Sequence, residues 1–107
     1  MKDLKISKEL IEEVMKDKGT FETININKNE LSTFGVLGHH IFSINIYEFA
    51  FMCKEWANKQ GYWANSGYDN KYYCMLRDMP DNQWFYADTE VEAIIQACEW
   101  VLSKVNK

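Results

Sequence analysis

The chain has 107 residues, 47% hydrophobic and 15% aromatic, with a formal net charge of −4. That balance excludes an intrinsically disordered chain, which combines few aromatics with high net charge, and the length predicts a single domain over residues 1–107. Of its twelve basic residues only Arg77 is an arginine, which argues against the arginine-bearing basic patch of a nucleic-acid binder.

The first predicted element is a short helix. Ser7 is placed to cap it, Leu10, Ile11, Val14 and Met15 recur at helical spacing, and Gly19 supplies a stop. A helix of this length does not persist alone, so it needs a docking surface on its own sheet or on a second subunit. Phe21 to Ile26 alternates like a strand, Asn27 to Glu30 reads as a turn, and Leu31 to Ile44 continues as extended chain with a bend or bulge at Gly35 and Gly38. The expected arrangement of Phe21 to Ile44 is a β-hairpin.

Asn45 is an N-cap with Glu48 three residues on, and it opens a second helix that Gly61 ends. Ile46, Phe49, Ala50, Cys53, Trp56 or Ala57, and Gln60 share one side of it. Tyr47, Phe51 and Met52 widen that apolar surface, which predicts burial on more than one side. Three strands follow: Tyr62 to Tyr68, Lys71 to Arg77 and Gln83 to Ala87. Asp69–Asn70 forms the first turn between them, and Met79 to Asn82, with Pro80, the second.

The last helix is the clearest element. Asp88 or Thr89 caps it, Thr89 with Glu92 fits a capping box, and Val91, Ile94, Ile95, Cys98, Val101, Leu102 and Val105 make its apolar stripe. Ala93, Ala97 and Trp100 form a flank that packs between sheet and second helix or, as the alternative, against a second copy. The predicted fold is therefore α+β in the order α-β-β-α-β-β-β-α. An antiparallel sheet of about five strands is packed against two main helices, with an additional short N-terminal helix and a helix-strand-strand-strand-helix unit at 46–105.

The order of that unit resembles the double-stranded-RNA-binding domains, in topology alone. Those domains grip RNA through basic contacts. Here the stretch from Asp78 to Glu99 holds Asp78, Asp81, Asp88, Glu90, Glu92 and Glu99 and no lysine or arginine. The resemblance bears on fold and not on function.

Residues able to do chemistry are sparse. Cys53, Cys74 and Cys98 form no CxxC and are expected as free, mostly buried thiols, with Cys74 able to face either way. His39 and His40 are adjacent on extended chain, so one site takes at most one of them. The local roles of Asp78 and Asp81 in a turn and of Asp88 at a cap account for those carboxylates. No phosphate-binding loop, dinucleotide fingerprint or zinc-protease motif occurs. No catalytic residue, metal or cofactor is expected.

The richest apolar window, Ile41 to Ala57, carries Glu48, Lys54 and Glu55, and MKDLKISKEL lacks the apolar core of a secretory signal. A cytoplasmic protein is expected. The predicted sheet is crowded with aromatics, and alternate strand residues point to opposite faces, so one set packs under the helices and another stays open. Trp63, Tyr72, Trp84 and Tyr86 (or their neighbours), with an acidic rim at Asp78 and Asp81, are the candidate contacts for a protein partner or a homodimer. The expected function is a non-catalytic adaptor, regulator or inhibitor. The alternatives are a nucleic-acid module using the same aromatics and a continuous strip of Lys54, Lys59, Lys71 and Arg77, or a small cysteine/histidine enzyme.

Overall fold

Ser7 begins the folded chain as an N-cap: its backbone is extended, and its hydroxyl accepts a hydrogen bond from the Leu10 N–H at 3.1 Å. The computed structural model describes residues 6–16, 21–27, 30–35, 41–77 and 82–105. The helix that Ser7 caps, α1, covers Lys8–Val14. It ends before the expected stop at Gly19, which lies outside the described residues. Seven residues are too few for an isolated helix, and Leu10, Ile11 and Met15 supply what propensity does not, since each is essentially fully buried against α2 and α3.

The stretch expected as a hairpin is instead a three-stranded antiparallel meander of β1 (Phe21–Asn27), β2 (Glu30–Gly35) and β3 (Ile41–Asn45). Extended chain from Leu31 to Ile44 would exceed a typical strand, and Gly35 is the last residue of β2. The chain then folds back, with Leu31 opposite Ile44 and Phe34 opposite Ile41. The expected bulge falls across from that glycine, where the register slips between Phe21, paired with Gly35, and Thr23, paired with Phe34.

Asn45 is both the last residue of β3 and the N-cap of α2 (Ile46–Lys59), its side chain accepting from the Tyr47 N–H at 2.7 Å. The helix closes with a Schellman motif. The Tyr62 N–H reaches the Ala57 carbonyl and the Gly61 N–H the Asn58 carbonyl, each at 3.0 Å, while Gly61 takes φ +96°. That conformation is what glycine supplies here.

The second meander has β4 (Trp63–Tyr68), β5 (Tyr72–Arg77) and β6 (Gln83–Ala87) in that spatial order. The first turn spans three residues rather than two. Tyr68 pairs with Tyr72, and Asn70 takes φ +64° between them. The expected helix α3 (Glu90–Val105) follows, with the Thr89 hydroxyl accepting from the Glu92 N–H at 3.1 Å and donating to the Glu92 carboxylate at 3.0 Å.

The α+β class holds, but the single sheet of about five strands does not. The described strands number six, in two separate three-stranded sheets. Between the two sheets lies α2, which touches β2 and β3 of the first and β4 of the second. α2 and α3 pack on one face of the β4–β6 sheet, and α1 packs on the helix pair. The core between them contains Phe49, Cys53 and Trp56 of α2, Ile95, Cys98 and Val101 of α3, and Cys74 and Leu76 of β5. Ala93 and Ala97 are fully buried within this chain, so the small-residue flank of α3 is not free to meet a second copy. No helix among the described residues is long and apolar enough to cross a membrane.

Candidate functional site

The register of the second sheet sorts its side chains into two sets. Ala64, Ser66, Cys74, Leu76, Phe85 and Ala87 alternate onto the helix side, where Cys74 and Leu76 are fully buried. Trp63, Tyr73, Met75, Arg77, Trp84 and Tyr86 alternate onto the other side, and no described helix packs there. More than half of each of Trp63, Trp84 and Tyr86 is exposed, at 55%, 51% and 51%. Buried tryptophan and tyrosine stabilise a fold strongly, so three of them standing in solvent on one small sheet form an unsatisfied apolar surface.

The rings on this face are not loose. Tyr73 and Trp84 approach to 5.5 Å between centroids, and Trp84 stacks on Tyr86 at 6.2 Å with planes only 10° apart. Gly67 makes room for this cluster. It pairs with Tyr73 across the strands, and a Cβ placed there would lie 2.9 Å from the Tyr73 hydroxyl oxygen. At the other end of the face Trp63 pairs with Arg77.

The structure thus brings together Trp63, Trp84 and Tyr86 of the expected contact set and removes Tyr72. That residue pairs with buried Ala87 and belongs to the helix-side set, where its ring meets Tyr68 edge-on at 4.8 Å. Tyr73 takes its place on the open face. The signal was available in the period of two that leads back from Arg77 through Met75 to Tyr73. The inward aromatic set is Tyr62 and Phe85, which hold Trp100 of α3 at 5.4 and 6.2 Å.

Outside the expected rim, the acidic residues Glu90, Glu92 and Glu99 are engaged inside the molecule. Glu92 serves the cap of α3, Glu90 accepts from the Ser66 hydroxyl at 2.6 Å, and the Glu99 carboxylate accepts from the Ser7 N–H and hydroxyl, each at 2.7 Å. Asp78 and Asp81 lie outside the described residues. Lys54 donates to Ser66 at 3.0 Å on the helix side of the sheet, whereas Arg77 belongs to the open face, so these two charges do not share one basic strip.

The cysteines, distant in sequence, converge in the core. The Cys98 thiol donates to the Cys53 carbonyl at 3.4 Å, and all three are free and buried. Burial, with a smaller contribution from Cys98, pushes the Cys53 thiol well above its ordinary range. Burial likewise pushes Cys74 up to about 12. Thiols held protonated in this way are poor nucleophiles. His39 and His40 lie outside the described residues. Among the described residues no group of three histidine, cysteine or acidic side chains converges as a metal site.

No protein-family model matches the chain, and neither a curated protein nor a solved structure matches it. The functional reading therefore rests on the open face itself.

Proposed function

We propose that this chain is a non-catalytic binding module, of adaptor, regulator or inhibitor type, and that it docks a protein partner on the open face of the β4–β6 sheet. Trp63, Trp84 and Tyr86 are its anchors, with Arg77 beside them. The observation that carries the reading is that these large rings are all more than half exposed on one face, where Trp84 and Tyr86 are already stacked on each other. Tryptophan, tyrosine and arginine dominate the energetics of protein interfaces. Rings fixed before binding lose little freedom when a partner covers them. Free buried thiols suit a reducing compartment, and the cytoplasm is the proposed setting. A nucleic-acid platform is the weaker reading, because base stacking works together with a basic groove.

A photo-crosslinking residue at position 84, compared with one at exposed Asn58 on α2, tests this in extract of the native cell. The expected result is a discrete adduct from position 84 alone. Excess wild-type protein should compete it away, and the Trp63→Ala/Tyr86→Ala double variant should not. Equal labelling from both positions would overturn the reading. Light scattering on the purified chain separates self-association from an outside partner: a mass near 12.7 kDa leaves the face to another protein, and twice that, lost in a still-folded Trp84→Ala variant, assigns it to a second copy.

A further inference from the structure

On the helix side of the second sheet, α2 and the start of α3 leave a cleft of about 470 Å³, a size suited to a small ligand or one side chain. Tyr47 and Phe51 of α2 and Tyr72 of β5 line it, and its charged groups among the described residues are Lys54, Asp88 and Glu90. Tyr47 and Phe51 are 58% and 61% exposed, unusual for large rings on a helix that packs in a core, and Tyr72 is steadied by Tyr68. Lys54 is already engaged. Its ammonium donates to Ser66, which in turn donates to Glu90, so the chain of bonds ties α2 to β4 and α3 beneath the cleft.

Two ligand chemistries compete for such a place. The N-terminus of α3 alone would favour an anion. Here, however, Asp88 and Glu90 flank that terminus, and the Thr89 hydroxyl has already taken up the Glu92 N–H. Two carboxylates against one hydrogen-bonded ammonium leave a negative field, and a cation beside three aromatic side chains can draw on their ring quadrupoles. We propose that this cleft binds an organic cation, an alkylammonium group seated against Tyr47, Phe51 and Tyr72 with Asp88 and Glu90 as counter-charges. The site lies on the opposite side of the sheet from Trp63 and Trp84, so its fate is independent of the docking reading.

The test is an NMR titration of the full chain with choline and with its neutral isostere 3,3-dimethyl-1-butanol at matched ionic strength. Choline should give saturable shifts at Tyr47, Phe51, Tyr72 and the first turn of α3, and the isostere should bind at least about fivefold more weakly, the range of a cation on partly desolvated rings. Phe51→Ala and Asp88→Asn, both exposed positions outside the core, should each lower choline affinity while leaving the remaining spectrum intact. Nα-acetyl-lysine methylamide distinguishes the source of the cation. Tighter binding than choline assigns the cleft to a basic side chain, and weaker binding to a free quaternary amine. No saturable choline shift, equal affinity for the isostere, unchanged affinity in both variants, or preferential binding of acetate would each overturn the proposal.

Discussion

Removing the Glu99 carboxylate should loosen α1 without releasing it. Glu99 accepts two short bonds from Ser7, one from its N–H and one from its hydroxyl, and the same hydroxyl caps the helix by accepting from Leu10. A hydrogen bond to a charged group contributes about 1.5–3 kcal/mol net. The two bonds share one anchor and are partly solvated, so they do not sum; Glu99→Ala should cost about 2–3 kcal/mol, including the Ser7 N–H left unpaired. At about 4 °C per kcal/mol for a chain of this size, Tm should fall by about 8–12 °C. The buried side chains of Leu10, Ile11 and Met15 outweigh this loss, at about 1.5–3 kcal/mol each. The helix therefore stays docked in most molecules.

Thermal melts followed by circular dichroism measure the global loss, and amide exchange at Leu10 and Ile11 measures the local one. Exchange should quicken there and change less in α2. The Ser7→Ala/Glu99→Ala double variant should be less destabilised than the sum of the singles by about 1 kcal/mol, because either single removes the hydroxyl–carboxylate bond, while the bond from the Ser7 backbone N–H is lost only with Glu99. For Glu99→Ala, a Tm within about 1 °C of wild type would refute the anchor, and additive singles would refute its hydroxyl bond.

The core thiols make stability fall on the alkaline side. Cys74 titrates at about 12 in the fold, above the ordinary thiol range in which it titrates when unfolded. Its stabilising contribution is thus complete below that ordinary range and is lost as pH rises toward 12. The slope is about 1.4 kcal/mol per pH unit per thiol. Urea melts at pH 8, 9.5 and 10.5 should show a shallower decline in Cys74→Ala than in wild type; parallel declines would count against the assignment. A third prediction concerns Gly67→Ala, which should push the Tyr73 ring off its seat and change Trp84 fluorescence while costing less than about 1 kcal/mol, since the obstructing atoms are the far end of a movable side chain. An unchanged emission spectrum would sink it.

Local chemistry decided how much of this was legible in the sequence. Ser7, Asn45, Gly61 and Thr89 punctuate the helices where their capping chemistry predicts, because those signals act within one turn of chain. The helix–sheet–helix unit follows from them. The first meander was legible only in part: Leu31 to Ile44 is too long for one strand and Gly35 offers a break, but reading that glycine as a bend within one extended segment merges β2 and β3. The open face was legible for Trp63, Trp84 and Tyr86. It failed at Tyr72 because Tyr72 and Tyr73 are alike in kind, and only register separates them. The cleft was not legible at all, since it joins Tyr47 and Phe51 on one helix to Tyr72 on a strand and Asp88 before another helix.

The exposure of the aromatic face follows from where everything else is committed. α2 and α3 lie on the other side of the β4–β6 sheet, and the apolar stripes that face each other and the sheet are consumed in that core. β3 runs straight into α2, and the first meander forms its own sheet, with β2 and β3 against that helix. α1 was the one helix not fixed by its neighbours in sequence, and Glu99 ties its first residue to α3 on the far side of the helix pair. Among the described residues no element remains to cover Trp63, Trp84 and Tyr86. Each such ring is already about half-buried, so covering the rest is worth about 1 kcal/mol, and three exposed together represent binding free energy that another molecule can use. The Glu99→Ala variant bears on this as well: α1 is held on the side away from the open face, so loosening it should leave crosslinking from position 84 unchanged while stability falls. Loss of that crosslink in a still-folded Glu99→Ala protein would mean that α1 helps form the docking surface, and the face would have to be redrawn to include it.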